Sequence, residues 1–151
     1  MFTQGLDDVL LDTWDMAAEA DLKALAKKLT RGNVNSTTDE SKWTPLMIVC
    51  GLKGAAGVDA AIKECAKLGA DCSSTDVEGW TALHWAAFHG NPPAATSLCE
   101  HFDITEMLDK NDKEGKSVKM LCQEENNMDV WKAIEEGSKS VGLRQRKAAA
   151  E

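Results

Sequence analysis

His89, Cys99 and His101 are the side chains in this chain whose types and closeness in sequence suggest metal chemistry. Zinc sites are usually built from ligand pairs at short spacings such as Cys-x2-Cys or His-x3-His, and no such pair occurs here. His89 falls at the end of one predicted helix and His101 at the end of the next, so the three are not expected to converge. Nucleophilic catalysis would need a Ser or Cys beside a His and an orienting carboxylate. Cys72, with His89 or His101, would be the reactive set of a small helical enzyme or ligand-binding protein, yet no stretch suggests a strained nucleophile turn. Gly115-Lys116-Ser117 matches the last residues of a phosphate-binding loop. Position 110, however, is Lys where the upstream glycine would stand, and no buried strand precedes it. The expectation is therefore no catalytic residue, no metal, no cofactor and no small-molecule substrate.

Composition narrows the class further. With 151 residues, 43% of them apolar and five Trp, the chain has the material for one domain with a continuous core. A net charge of -8, from 17 basic and 25 acidic residues, argues against nucleic acid, which is bound through clustered Lys and Arg. The longest apolar runs, such as Leu46 to Cys50, fall far short of the roughly 20 residues that span a bilayer, so no membrane insertion is expected. Met1 to Asp12 has neither the basic start nor the apolar block of a signal peptide, which makes a cytoplasmic location the expectation. The five cysteines are odd in number and read as reduced, mostly buried small hydrophobes.

The elements that position these groups are helical. Asp76-Val77-Glu78-Gly79 reads as a turn, in which Asp bonds its own backbone and Gly79 supplies a left-handed conformation. A helix follows from Ala82, with Leu83, Ala86 and Ala87 on one face and Gly90-Asn91 as its stop. Pro92 and Pro93 are tolerated where backbone N–H groups are still uncommitted, so they open a second helix over about 93–101. Ser97 and Cys99 fall at its packing positions. The same layout stands one period earlier: Trp43-Thr44-Pro45-Leu46 precedes Trp80-Thr81-Ala82-Leu83 by 37 residues, a second helix spans about 58–68, and Gly69-Ala70-Asp71 ends it. Between these helices, Gly51 to Gly57 is predicted to be a flexible protrusion outside the core.

Two such openings at a period near 33 residues are the signature of a stacked repeat. The chain resembles the ankyrin-repeat family, whose hallmark Thr-Pro-Leu-His-x-Ala lies between a turn and two helices. The resemblance covers about residues 14–136, with degenerate end units in which Ala17 to Asn35 and Asp112 to Glu136 play the parts of caps. It implies an all-α solenoid of helix-turn-helix units joined by β-turn-like hairpin loops. One domain over 1–137 would hold repeats at about 8–35, 39–73, 76–103 and 112–137, followed by a flexible C-terminal tail at 138–151. It also implies that Thr81 and His84 hydrogen-bond within and between units and are structural.

By the same resemblance, the turns and first-helix tips point to a concave face that binds a partner protein. The positions so assigned are Trp43, Leu52, Val77, Glu78, Trp80, Phe88, His89, Lys113 and Glu114, with Glu124 and Glu125 nearby. Exposed aromatic anchors are what interface hot spots look like. Trp43 and Trp80 either present themselves to a partner or stack on each other across adjacent turns, whereas Trp85 falls on the core side. The function expected is a non-enzymatic adaptor or a small subunit of a multi-subunit assembly. The alternatives are an inhibitor that masks a partner's surface, and the helical enzyme considered above.

Overall fold

Capping chemistry sets the helix starts. Thr44 and Thr81 each accept a bond from the backbone N–H of Met47 (3.2 Å) and His84 (3.4 Å), and Ser117 does the same for Met120 (3.2 Å). Pro45 and Pro92 occupy first-turn positions where their missing N–H costs nothing. The structure is a computed structural model that describes the backbone of residues 5–150 and the side chains of residues 5–139. Among those residues the helices are α1 (Leu6–Asp15), α2 (Leu22–Lys28), α3 (Pro45–Gly51), α4 (Val58–Lys67), α5 (Ala82–His89), α6 (Pro92–His101), α7 (Thr105–Leu108), α8 (Val118–Glu124) and α9 (Met128–Ala150). No strand occurs among the described residues.

The helices form two columns. α1, α3, α5 and α8 stack as an inner column, and α2, α4, α6 and α9 as an outer one. The core runs unbroken between them through Leu10, Leu25, Ile48, Ile62, Leu83, Leu98, Leu121 and Ile134, all essentially inaccessible. Each such aliphatic side chain contributes about 1.5–3 kcal/mol on burial. Asparagines tie successive units. Buried Asn91 donates through Nδ2 to the Cys50 carbonyl at 2.9 Å, and Asn127 donates to the Ala87 carbonyl at 2.8 Å.

The structure departs from the sequence expectation in four places. Gly51 is the last residue of α3 and is buried, and Leu52 is only 3% exposed, so both belong to the core and only residues 53–57 form the inter-helix turn. Leu52 is accordingly not a partner-facing residue. In the first unit the inner helix is α1, lying before the cap segment expected at Ala17 to Asn35, and a single 3-10 turn at Ala17–Glu19, with Ala17 at φ 50, leads from it toward α2. The short helix α7, inserted between the third and fourth units, was not foreseen. α9 runs on past residue 138, where a tail was expected to begin. Val141, Leu143, Arg144, Arg146 and Lys147 of that segment, and Met1–Gln4, lie outside the described side chains.

Candidate partner-binding face

Three turns of one design line the edge of the inner column, starting at Thr38, Asp76 and Asp112. In each, the first residue's N–H reaches back to a carbonyl at the turn's end: Trp43 at 3.0 Å, Trp80 at 3.1 Å and Lys116 at 2.9 Å. The Asp76 Oδ1 accepts the N–H groups of Glu78 (2.9 Å) and Trp80 (3.0 Å); the Asp112 Oδ1 accepts those of Glu114 (2.9 Å) and Lys116 (2.8 Å). Adjacent turns are laced by one backbone bond each, Val77 N–H to the Ser41 carbonyl (3.2 Å) and Lys113 N–H to the Glu78 carbonyl (3.0 Å).

The other carboxylate oxygens hold tryptophans. Asp76 Oδ2 accepts the Trp85 indole N–H at 3.0 Å, and Asp112 Oδ2 accepts that of Trp80 at 2.9 Å. Burial pushes the Asp112 carboxyl up, but the Lys116 N–H, the Trp80 indole and the Glu114 N–H outweigh it and hold the carboxyl below its ordinary value. Trp80 is thus fixed by the following turn and lies against Phe88, ring centroids 4.8 Å apart.

Trp43 does not pair with Trp80. It joins Trp14 and Trp85 in a cluster of edge-on rings with centroids 5.1–5.8 Å apart, and His89 packs on Trp14 at 5.1 Å and on Trp85 at 5.4 Å. Phe88 meets His89 at 5.1 Å and so links the two aromatic groups. The rings at 14, 43, 85, 89, 88 and 80 therefore make one continuous strip on the inner column. Trp85 is buried as expected, Trp43, Trp80 and His89 are half-buried, and Phe88 is 36% exposed. Val77, Glu78, Lys113 and Glu114 are exposed on the turns. Sequence reading missed Trp14, although Leu6, Val9, Leu10, Thr13 and Trp14 follow the spacing of one helical face.

Beside Trp80 and Phe88 the surface opens into a pocket of about 140 Å³ between the second and third of these turns and α8. Its wall carries Glu78, Asp112, Glu114, Glu124, Glu125 and Lys116. The Lys116 ammonium bridges Glu124 (2.9 Å) and Glu114 (3.1 Å), and these bonds, Glu124 first, raise its pKa.

The groups considered for chemistry are dispersed over the fold. His84 is fully buried; its Nδ1 accepts the Thr81 N–H at 3.2 Å, which places the ring proton on Nε2, facing the next unit. Burial lowers its pKa, against the opposing pull of the Lys116 backbone, Asp112, Asp76 and the Lys110 backbone. His89, Cys99 and His101 are not brought together: His89 sits among the rings, Cys99 faces α9, and His101 lies near Asp59 and Glu100 between α4 and α6, with ligand atoms within 4.8 Å of one another. Burial, followed by the charges of Asp71, Glu106 and Asp103, pushes the Cys72 thiol up, and burial raises Cys99 to about 11, so neither thiolate is populated near neutral pH. On the outer column, a wide groove of about 920 Å³ runs between α2 and α4, floored by Ala20, Ala26, Ala60 and Ala61.

Paired helices stacked in two columns, with capped Thr positions and laced turns along one edge, define a helical-repeat solenoid. A family model described as ankyrin repeats (3 copies) matches residues 14–107 and again 60–141, and the chain belongs to the ankyrin-repeat family. A search of curated proteins returns no match. Members of this family are generally protein–protein interaction modules and typically non-enzymatic.

Proposed function

We propose that this protein is a non-enzymatic interaction module, an adaptor or small structural subunit of a larger assembly, that works in the cytoplasm and grips a partner protein on its inner, turn-side face. One observation carries the reading: Phe88, 36% exposed, packs on a Trp80 whose indole is held by Asp112, and Val77, 38% exposed, stands on the turn that leads into Trp80. A fixed aromatic ring loses little side-chain entropy when a partner covers it, which is the character of a hot-spot residue. Phe88 packs on Trp80 and His89 at its inner side and still leaves part of its ring open to a partner, while its neighbours Ala86 and Ala87 are fully buried.

The test is co-purification from the native source with Val77→Ser/Phe88→Ser beside the wild type, leaving Trp80 in place because it supports the turn. A loss of affinity of roughly 30-fold or more for the captured partner, with helical circular dichroism unchanged, is expected for a hot-spot pair. Unchanged capture by the folded double variant would refute the assignment of this face.

A further inference from the structure

We infer that the pocket beside Trp80 and Phe88 is a receptor for one arginine side chain, presented by a basic segment of the partner protein. This deepens the proposed function and rests on it. The pocket of about 140 Å³ is of a size for a single polar head group, not a helix or strand. Five carboxylates and one ammonium stand around it, and two aromatic rings form one side.

Its charges are unevenly committed. Asp112 is consumed by the turn and by the Trp80 indole, while Glu114 and Glu124 share the Lys116 ammonium. The carboxylates of Glu78 and Glu125 carry no hydrogen bond or ion pair among the described residues. Lys116 shows that a cation is already accommodated in this wall, and the two uncommitted carboxylates leave room for a second. An apolar side chain would cover these acids without pairing them, which is costly. An acidic one would meet like charge from nearly every direction. A cation answers both the acids and the negative ring faces.

Arginine fits better than lysine on two grounds. Its planar guanidinium stacks on an aromatic ring while its edge donates to carboxylates in a fixed fork, and it sheds water more easily than an ammonium. Trp80 suits such stacking because its indole N–H is held by Asp112 at 2.9 Å, which fixes the ring plane before the ligand arrives. The net charge of -8 adds long-range attraction for a basic segment.

The experiment titrates the full-length, 15N-labelled protein with the blocked tripeptide Gly-Arg-Gly, the same peptide with citrulline, and the same peptide with lysine, up to high millimolar concentration. The Trp80 indole N–H resonance is identified by its disappearance in Trp80→Phe. It is expected to move with the arginine peptide, with roughly tenfold weaker binding for citrulline and for Glu78→Gln/Glu125→Gln, and to move less as salt is raised. The Trp131 indole, on α9, is expected to stay still. No movement of Trp80, or equal binding of the citrulline peptide, overturns the cation receptor, and equal or tighter binding of the lysine peptide overturns its arginine specificity. Once a partner is in hand, normal affinity of Glu78→Gln/Glu125→Gln together with loss in Val77→Ser/Phe88→Ser would sink this pocket's role and leave the face intact. Normal affinity of both variants would sink both.

Discussion

Gly51→Ala tests the aromatic strip at its tightest point. A Cβ built on Gly51 lies 2.7 Å from Trp85 Cε3, 2.9 Å from Trp14 Cζ3 and 3.1 Å from His89 Cδ2. Ordinary carbon contacts sit at about 3.5–4.0 Å, so the methyl intrudes on two rings by more than half an ångström. Trp85 cannot swing away without breaking its bond to Asp76, and Trp14 is wedged against Trp43 and His89. Against this stands a gain, because Ala in place of helical Gly is favoured by roughly 0.5–1 kcal/mol. Overpacking of a closed core costs about 1–3 kcal/mol, and two ring contacts under 3.0 Å put this case at about 2–3 kcal/mol, so the net effect is a loss of about 1–2.5 kcal/mol. With a urea m-value of about 2 kcal/mol/M, the midpoint should fall by about 0.5–1.3 M. Tryptophan fluorescence reads the transition, and near-ultraviolet circular dichroism reads the ring packing. Gly32→Ala, whose Cβ meets nothing closer than 3.7 Å, is the control and should be neutral or slightly stabilising. If Gly51→Ala proves as stable as the wild type or more so, the rings are looser than described and the segment behaves as the surface protrusion that its sequence suggests.

Other consequences can be measured in the same way. Gly137→Ala places a Cβ 2.6 Å from Cys99 Cβ, so α9 must move off α6 at a cost of about 1–3 kcal/mol, visible as a lower urea midpoint. Asn91→Ala strips the Cys50 carbonyl of its buried donor and should cost about 1–3 kcal/mol by the same assay. Asp112→Asn keeps one acceptor oxygen but can turn an amide N–H toward the Trp80 indole. Stability should drop by about 1–3 kcal/mol, and the Trp80 indole resonance should shift. Burial lowers the pKa of both His84 and His89 from 6.5, so the unfolded chain takes up their protons first. Their contribution to stability is complete above about pH 6.5 and is lost as pH falls through the lowered folded values, so the urea midpoint should decline as pH drops below about 6.5.

The two central units were legible because their signals are local. Thr44 and Thr81 cap helices, Pro45 and Pro92 open them, and Gly90 at φ 68 closes one. Each of those decisions is made within one turn of helix. The face itself was only partly legible. Phe88, Val77, Glu78, Lys113 and Glu114 are exposed where the repeat pattern puts them, but Leu52 turns inward because α3 runs through Gly51 and carries Leu52 with it. The partnership of Trp43 with Trp14 and Trp85, in place of Trp80, depends on how three inner helices pack, and no short window of sequence encodes that. The bridge from Lys116 to Glu124 depends on the angle at which α8 leaves the third turn, which no short window of sequence encodes.

The distribution of rings also gives the chain a set of optical reporters already in register with its units. Trp14, Trp43 and Trp85 are close enough for their transitions to couple, so their joint near-ultraviolet signal exists only while the first three units are docked. Trp80 reports separately on the junction of the third and fourth units, and Trp131, with Lys119 at 5.6 Å from its ring, reports on the last. Solenoids are held by neighbour contacts alone and can fray from either end. In this chain, melting from the amino end would extinguish the coupled signal first, and melting from the carboxyl end would change Trp131 first, so the direction of unzipping is written in its own spectrum.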